Sequence, residues 1–87
     1  MNIHQHKHFL KVYKKRIFPN YSLDNKFKER LKLFIEDHAN PVLKNHSLKG
    51  KKSSYRSFSV TGDIRVIYEK VQDGILLLDI GTHNQVY

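Results

Sequence analysis

The stretch Asn45–Tyr87, NHSLKGKKSSYRSFSVTGDIRVIYEKVQDGILLLDIGTHNQVY, decides the fold of this chain. It opens on a lysine-rich loop and continues as three runs with the alternation or apolar content of β-strands. The runs span residues 55–61, 64–70 and 75–80. Gly62-Asp63 makes a tight turn between the first two runs. The third run is almost wholly apolar, which is typical of a central strand, and we expect Gly81 to end it.

Two segments upstream of this stretch place their apolar residues at helical spacing. They span residues 7–18 and 23–38, and each is followed by an Asn/Pro pair that stops a helix. Ser22 is the expected N-cap of the second helix. The short linker predicts a helical hairpin, and its aromatic residues are expected to be core rather than a cofactor site. Residues 1–5 allow a short additional strand.

These elements predict an α+β fold. A helical hairpin packs on a small, mainly antiparallel twisted sheet, and the elements follow the order (β)ααβββ. A chain of 87 residues can bury one core and little more, so we expect a single domain over residues 1–87.

The chain is strongly basic, with a net charge of +8 from 16 Lys and Arg against 8 Asp and Glu. This balance predicts binding to polyanions, with nucleic acid first and an acidic protein partner second. The absence of cysteine excludes disulfides and thiolate metal sites and suits a reducing compartment. No run approaches the roughly 20 apolar residues of a membrane span, and the first residues lack the apolar core of a signal peptide. We therefore expect a cytoplasmic protein without membrane contact.

His4, His6 and His8 alternate near the start of the chain and would share one face of a strand. A metal site usually adds a further ligand at turn or helix spacing and a supporting shell of hydrogen bonds. Neither is visible in the sequence, so a polar segment that runs into a helix is the better interpretation. We expect no metal and no other cofactor.

Five basic residues are the candidates for contact with nucleic-acid phosphates. They are Lys44, Lys49, Lys51, Lys52 and Arg56. The four lysines lie in a loop, residues 42–54, that contains no acidic residue, and Gly50 with two serines lets backbone amides turn outward. The loop has too few glycines for a nucleotide-binding Walker loop. A merely solvated basic surface is the alternative interpretation.

Four motifs stand out together in the second half of the chain. They are His46-Ser47-Leu48-Lys49-Gly50, Tyr55-Arg56, Gly62-Asp63-Ile64-Arg65-Val66-Ile67-Tyr68, and Gly81-Thr82-His83 followed after three residues by Tyr87. In combination they resemble the RelE/ParE toxin superfamily of bacterial type II toxin–antitoxin modules, and most closely its YafQ-like branch. The resemblance implies a small endoribonuclease that cuts messenger RNA, usually on the ribosome. It also implies a cognate antitoxin that silences the toxin in a hetero-oligomeric complex.

Five residues match motif positions that the superfamily uses for catalysis or RNA contact. They are His46, Asp63, Arg65, His83 and Tyr87. The match of Arg65 is to the RelE branch, where an arginine contacts the reacting phosphate. Two positions depart from the YafQ-like pattern, because Ser59 stands where a histidine is expected and Ile64 where a tryptophan is frequent. These departures leave open a slower site, a different distribution of roles, or a member without activity.

RNA can be cleaved without a metal, because the 2′-hydroxyl can attack the adjacent phosphate while the 5′-oxygen leaves. The reaction needs a base, an acid and cations around the phosphate, and histidine serves either proton role near neutrality. We assign the main proton transfer to His83, with His46 as its partner. Asp63 orients a histidine or accepts a proton, and Arg65 clamps the phosphate. Tyr87 stacks on a base or contacts phosphate.

Two other functions are compatible with the sequence. One is a ParE-like toxin, which shares the fold but inhibits gyrase and lacks a ribonuclease site. The other is a catalytically degenerate member that only binds nucleic acid. The histidine pair and Tyr87 argue against the ParE branch. Structural roles also stay open, such as an ordinary turn position for Asp63 or an ion pair of Arg65 with Glu69.

Overall fold

The computed structural model describes the backbone of residues 1–87 and every side chain except that of Lys51. The helices and strands are β1 (Asn2–Gln5), α1 (Lys7–Arg16), α2 (Tyr21–Glu36), β2 (His46–Ser47), β3 (Tyr55–Ser59), β4 (Ile64–Val71), β5 (Gly74–Thr82) and α3 (His83–Val86). Two short 3₁₀ turns, Pro41–Leu43 and Gly50–Lys52, flank β2. The predicted α+β class is confirmed, and β2 and α3 are added to the predicted order. None of the described helices combines the length and the apolar character needed to cross a membrane.

The five strands form one mixed sheet in the order β1-β5-β4-β3-β2. β3, β4 and β5 are antiparallel neighbours, whereas β1 pairs in parallel with the first half of β5. This parallel pair is close at Gly74, where an added Cβ would lie 1.9 Å from the Asn2 carbonyl oxygen. β2 contributes only two residues at the opposite edge, where His46 pairs with Ser57.

The helical hairpin covers one face of the sheet through aromatic side chains. The ring centroids of Phe9 in α1 and Phe27 in α2 lie 5.9 Å apart. Phe34 of α2 lies 5.0 Å from Phe58 of β3 and 5.1 Å from Tyr68 of β4. All five rings are buried, and burial of one such side chain contributes about 1.5–3 kcal/mol. The prediction that the aromatic stripes of the hairpin are core is confirmed for Phe9, Phe27 and Phe34.

The start of α2 differs from the prediction. Asn20 is the N-cap, and its side-chain oxygen accepts a hydrogen bond from the backbone N–H of Leu23 at 3.1 Å. The helix therefore begins at Tyr21, and the expected cap, Ser22, lies inside the first turn. Asparagine and serine cap equally well by propensity, so residue type alone could not decide between the two positions.

Asp24 ties the two helices together. The Tyr13 hydroxyl of α1 donates a hydrogen bond to its carboxylate, and Lys28 Nζ lies 3.0 Å from the same group. The Tyr13 hydrogen bond first, and Lys28 second, hold the pKa of Asp24 below its usual value. Burial, together with the carboxylate, raises the pKa of Tyr13. The ionised form of Asp24 is therefore the form that the folded hairpin favours.

The other face of the sheet is covered by the short helix α3. β5 continues through Gly81 to Thr82, so the prediction that Gly81 ends the strand is wrong. A Cβ at Gly81 would lie 2.5 Å from Gln85 Oε1 and 2.9 Å from Arg16 Nη1, so a larger residue there would displace the ends of these two side chains. Gln85 Oε1 accepts a hydrogen bond from the Thr82 N–H at 2.8 Å, which fixes the turn into α3.

Candidate active site

His46 and Tyr87 meet on the sheet face that the hairpin leaves uncovered. Ser57 precedes Phe58 on β3, so strand alternation directs its side chain away from the hairpin. The Tyr87 hydroxyl donates a hydrogen bond to Ser57 Oγ at 2.8 Å, and His46 is the cross-strand neighbour of Ser57. We call the space between them the His46–Tyr87 groove, an open groove of about 400 Å³. It is lined by His46, Ser47, Leu48, Lys49, Lys52 and Tyr87.

The imidazole of His46 has a defined orientation. Its Nδ1 lies 2.8 Å from the backbone carbonyl oxygen of Lys44. Because a carbonyl oxygen can only accept, Nδ1 must carry a proton in this contact. In the neutral ring, Nε2 is then the unprotonated nitrogen, and the side chain is exposed. His46 can therefore accept a proton from a molecule in the groove.

His83 is the first residue of α3 and lies against Tyr87. The two rings meet edge to face, with centroids 4.4 Å apart and an interplanar angle of 75°. The backbone N–H of Tyr87 also donates to the His83 carbonyl at 3.0 Å. Tyr87 is 39% exposed although its hydroxyl is anchored on Ser57. This arrangement places a second imidazole beside an aromatic surface on which a base can stack.

Arg65 lies on the same face of the sheet, in register with Ser59 on β3 and Gly81 on β5. Its Nε is buried and has no hydrogen-bond partner among the described residues. Within that part of the chain, no ion pair joins Arg65 to Glu69. A buried, unpaired guanidinium N–H is costly, and a phosphate oxygen is the acceptor that a guanidinium binds best.

Asp63 occupies the turn between β3 and β4 and is exposed. Its backbone N–H donates to Thr61 Oγ1 at 3.2 Å, as expected of a tight turn. The next residue, Ile64, pairs with Thr82, so Asp63 and His83 lie at the same end of the sheet. Asp63 does not line the His46–Tyr87 groove. The structure thus places it near the start of α3 rather than beside His46.

The predicted RNA-contacting residues separate into two groups. Lys49 and Lys52 line the His46–Tyr87 groove, and Lys52 Nζ also donates to a backbone carbonyl of α3 at 3.4 Å. Lys44 and Arg56 line a different pocket, on the hairpin side of the sheet. The side chain of Lys51 lies outside the described residues.

The two positions that depart from the family pattern have structural neighbours of their own. Ser59 is buried and faces Arg65 across the β3–β4 pair. Ile64 belongs to the hydrophobic core. Ser57, which holds the Tyr87 hydroxyl, is a site residue that no motif indicated. Its only signal in the sequence is the strand alternation that puts it on the polar face.

The three alternating histidines near the start of the chain have three different partners. His4 Nε2 lies 3.0 Å from Asp73 Oδ1, and His8 Nε2 lies 3.4 Å from Asp79 Oδ1. His6 caps α1 by accepting a hydrogen bond from the His8 N–H. Among the described residues, no group of three His, Cys, Asp or Glu side chains is arranged to hold a metal ion.

Solved bacterial toxins share this fold. A copper-bound mutant toxin from Helicobacter pylori has a TM-score of 0.85 and 23% identity, covering 100% of this chain and 99% of that chain. A chain of the DinJ–YafQ complex from E. coli has a TM-score of 0.74 and 24% identity, covering 99% and 97% respectively. A YoeB dimer from Staphylococcus aureus has a TM-score of 0.76 and 22% identity, covering 95% of this chain and 97% of that chain. At identities this low, the TM-scores show a common fold and nothing more.

These neighbours show the fold alone, and the family of the chain is shown by a match to a family model. A search of curated proteins found no match. The family model described as the bacterial toxin of type II toxin–antitoxin systems, YafQ, matches residues 1–87. The chain therefore belongs to the YafQ family of type II toxins, and the resemblance drawn from its motifs is confirmed.

Proposed function

We propose that this toxin is an endoribonuclease that cleaves messenger RNA, on the ribosome, by attack of a 2′-hydroxyl on the adjacent phosphate. The observation that carries the proposal is the arrangement around the His46–Tyr87 groove. An imidazole with an available Nε2 lies at one side, and a second imidazole, at His83, lies against the tyrosine at the other. This supplies both proton-transfer groups that the reaction needs.

The proposed steps balance without an added cofactor. His46 Nε2 takes the proton of the 2′-hydroxyl as that oxygen forms a bond to phosphorus. The bond from phosphorus to the 5′-oxygen breaks, and His83 gives the leaving oxygen a proton. The products are a 2′,3′-cyclic phosphate and a free 5′-hydroxyl. Arg65 neutralises charge on the non-bridging oxygens, and Asp63 orients the proton donor from the same end of the sheet.

RNA binding in the groove uses stacking and charge. The exposed part of the Tyr87 ring stacks on a base, and its hydroxyl stays fixed on Ser57. Lys49 and Lys52 contact phosphates that flank the reacting one. Lys51 is included because it lies in the same lysine-rich loop of the sequence.

A cognate antitoxin is the second partner that we propose, in a hetero-oligomeric complex. E. coli YafQ has been solved in complex with DinJ, and this chain shares its family. A charge of +8 favours an antitoxin segment with acidic residues, which would lie across the groove. A single domain over residues 1–87 and action in the cytoplasm belong to the same proposal. Co-purification with the product of the adjacent gene tests the partnership, and growth that is unaffected without any such partner contradicts it.

The activity is tested by inducing the protein in cells and mapping transcript 5′ ends. Wild type and a His4→Ala control, at the far edge of the sheet, should both generate new 5′ ends. His83→Ala should generate none while accumulating to the same level. Intact transcripts together with stalled gyrase would contradict the proposal and favour the ParE type of activity. Intact transcripts with no lesion of any kind would favour a binding protein without catalysis.

A further inference from the structure

A second cationic pocket lies on the hairpin side of the sheet, across the β2 edge from the His46–Tyr87 groove. It has a volume of about 390 Å³ and is lined by His38, Ala39, Asn40, Pro41, Lys44, Asn45, Arg56 and Lys70. Three of these residues are cationic and none is acidic. The chain passes directly from one space to the other, because residues 44 and 45 line this pocket and residues 46–49 line the groove. We call it the Arg56 pocket.

Arg56 is held in a fixed orientation in this pocket. Its Nε donates hydrogen bonds to Asn45 Oδ1 and to the Tyr68 hydroxyl oxygen, both at 3.2 Å. Tyr68 is fully buried and itself donates to Asn45 Oδ1 at 2.7 Å. Asn45 Nδ2 donates to the His38 carbonyl at 3.1 Å, which completes a polar network around the guanidinium. The side chain has therefore lost its rotamer freedom before any ligand arrives.

The network uses the Nε of Arg56 and leaves its terminal nitrogens available. No hydrogen bond or ion pair from them to another described residue is found. A planar guanidinium offers these donors as a fork that matches two phosphate oxygens. Lys44, in a left-handed conformation with φ 48°, and exposed Lys70 flank the same space. The pocket thus supplies donors and positive charge with no carboxylate to compete.

We propose that the Arg56 pocket binds a backbone phosphate of the RNA, at a position separate from the phosphate that is cleaved in the groove. The inference rests on the proposed function and extends it to a second contact by Lys44, Arg56 and Lys70. An RNA strand fits better than an acidic protein segment, because only Ala39 and Pro41 offer apolar side chains to a peptide. Two pockets lined by consecutive residues of the chain also suit a ligand with regularly spaced charges, such as the phosphates of an RNA strand.

Binding of an RNA that cannot be cleaved tests this inference. The probe is a short single strand with 2′-O-methyl groups throughout, and its dissociation constant is measured over a range of KCl concentrations. Lys70→Ala should bind the probe more weakly than wild type. The slope of the logarithm of its binding constant against the logarithm of the KCl concentration should also be smaller in magnitude by about 0.7, as expected for one lost phosphate contact on a single strand. Lys70 is exposed and its side chain forms no ion pair with another described residue, so this variant should fold normally.

Two further variants complete the test. Lys32→Ala removes an exposed lysine of α2 outside both spaces and should keep the wild-type slope. Arg56→Lys keeps the charge but loses the fork, and should bind the probe more weakly than wild type. Equal slopes for wild type, Lys32→Ala and Lys70→Ala would overturn the inference. The inference would also be overturned if Lys70→Ala weakened the binding of an acidic peptide and left the binding of RNA unchanged.

Failure of the inference can be told apart from failure of the proposed function. Cleavage of unmodified RNA is measured in parallel, and Lys70→Ala should need a higher RNA concentration than wild type to reach half of its maximal rate. A protein with the predicted slope change but without cleavage would contradict the ribonuclease proposal and leave the phosphate pocket standing. A protein that cleaves RNA with no slope change at Lys70 would contradict the pocket alone.

Discussion

The two faces of the sheet are built in opposite ways. On the hairpin face, the rings of Phe34, Phe58 and Tyr68 pack within 5.0–5.8 Å of one another and are buried. On the other face, Ser57 and Arg65 lie under a helix of four residues. Because one face supplies most of the apolar burial, the other can keep polar groups with spare hydrogen-bonding capacity near solvent. The buried Nε of Arg65, which has no hydrogen-bond partner in the described part of the chain, is the clearest example of that division.

The largest effect should come from the polar face, through His46. Replacing it with alanine removes the proposed base, so RNA cleavage should fall by about 10²–10⁴-fold. The free energy of unfolding should stay close to wild type, because the side chain is exposed. Single-turnover cleavage, with His4→Ala as the control, measures the loss. Cleavage by His46→Ala at the wild-type rate would contradict the assignment of His46 as the base.

The next effect concerns stability and compares one residue from each face. Phe34→Ala opens a cavity beside Phe58 and Tyr68, and should lower the free energy of unfolding by about 3–5 kcal/mol. Val86→Ala truncates a smaller buried side chain on α3 and should cost about 1–2 kcal/mol. Urea denaturation measures both. Equal losses would show that the polar face bears as much of the core as the hairpin face.

A smaller effect separates the two roles of Tyr87. Tyr87→Phe loses the hydrogen bond to Ser57 and should lower the free energy of unfolding by about 1 kcal/mol. It keeps the ring, so RNA affinity should be unchanged. Tyr87→Ala should weaken RNA binding by about 1–3 kcal/mol, the usual value for one stacked base. If both variants bind RNA as wild type does, the ring does not stack on a base.

The smallest effect belongs to the hairpin and appears only in acid. The folded state lowers the pKa of Asp24, chiefly through the Tyr13 hydroxyl and then through Lys28. The unfolded chain therefore takes up the proton first, and the free energy of unfolding should fall as pH decreases below about 4. Asp24→Asn should flatten this acid limb, and Lys28→Ala should flatten it less. Thermal unfolding measured from pH 2 to pH 6 tests this. If Asp24 had no such role, wild type and Asp24→Asn would lose stability equally as the pH falls.

Periodicity predicted the elements that are long enough to show it. Both helices and the strands β3, β4 and β5 follow from apolar spacing and from turn residues such as Gly62. β2 has two residues and α3 has four, so neither carries a periodic signal. β5 extends through Gly81 because Gly81 and Thr82 pair with Arg65 and Ile64 of β4, and this pairing is not contained in any local pattern.

The family motifs supplied candidates for the site but not their arrangement. Of these candidates, His46 and Tyr87 line one groove, and His83 packs against the Tyr87 ring. Ser57 was missed because a serine on a strand has many uses. Arg56 was grouped with the loop lysines by charge, although alternation with Phe58 already placed it on the hairpin face.

The most direct test of the central claim changes the substrate rather than the protein. Purified toxin and ribosomes are given a short messenger RNA containing the cleavage site, alongside the same messenger RNA with one 2′-deoxy nucleotide at that site. The account predicts that the RNA is cut to leave a 2′,3′-cyclic phosphate and a 5′-hydroxyl. It also predicts that the single deoxy substitution abolishes cutting there, because the attacking oxygen is gone. Cleavage of the deoxy-substituted strand at the same bond would contradict it.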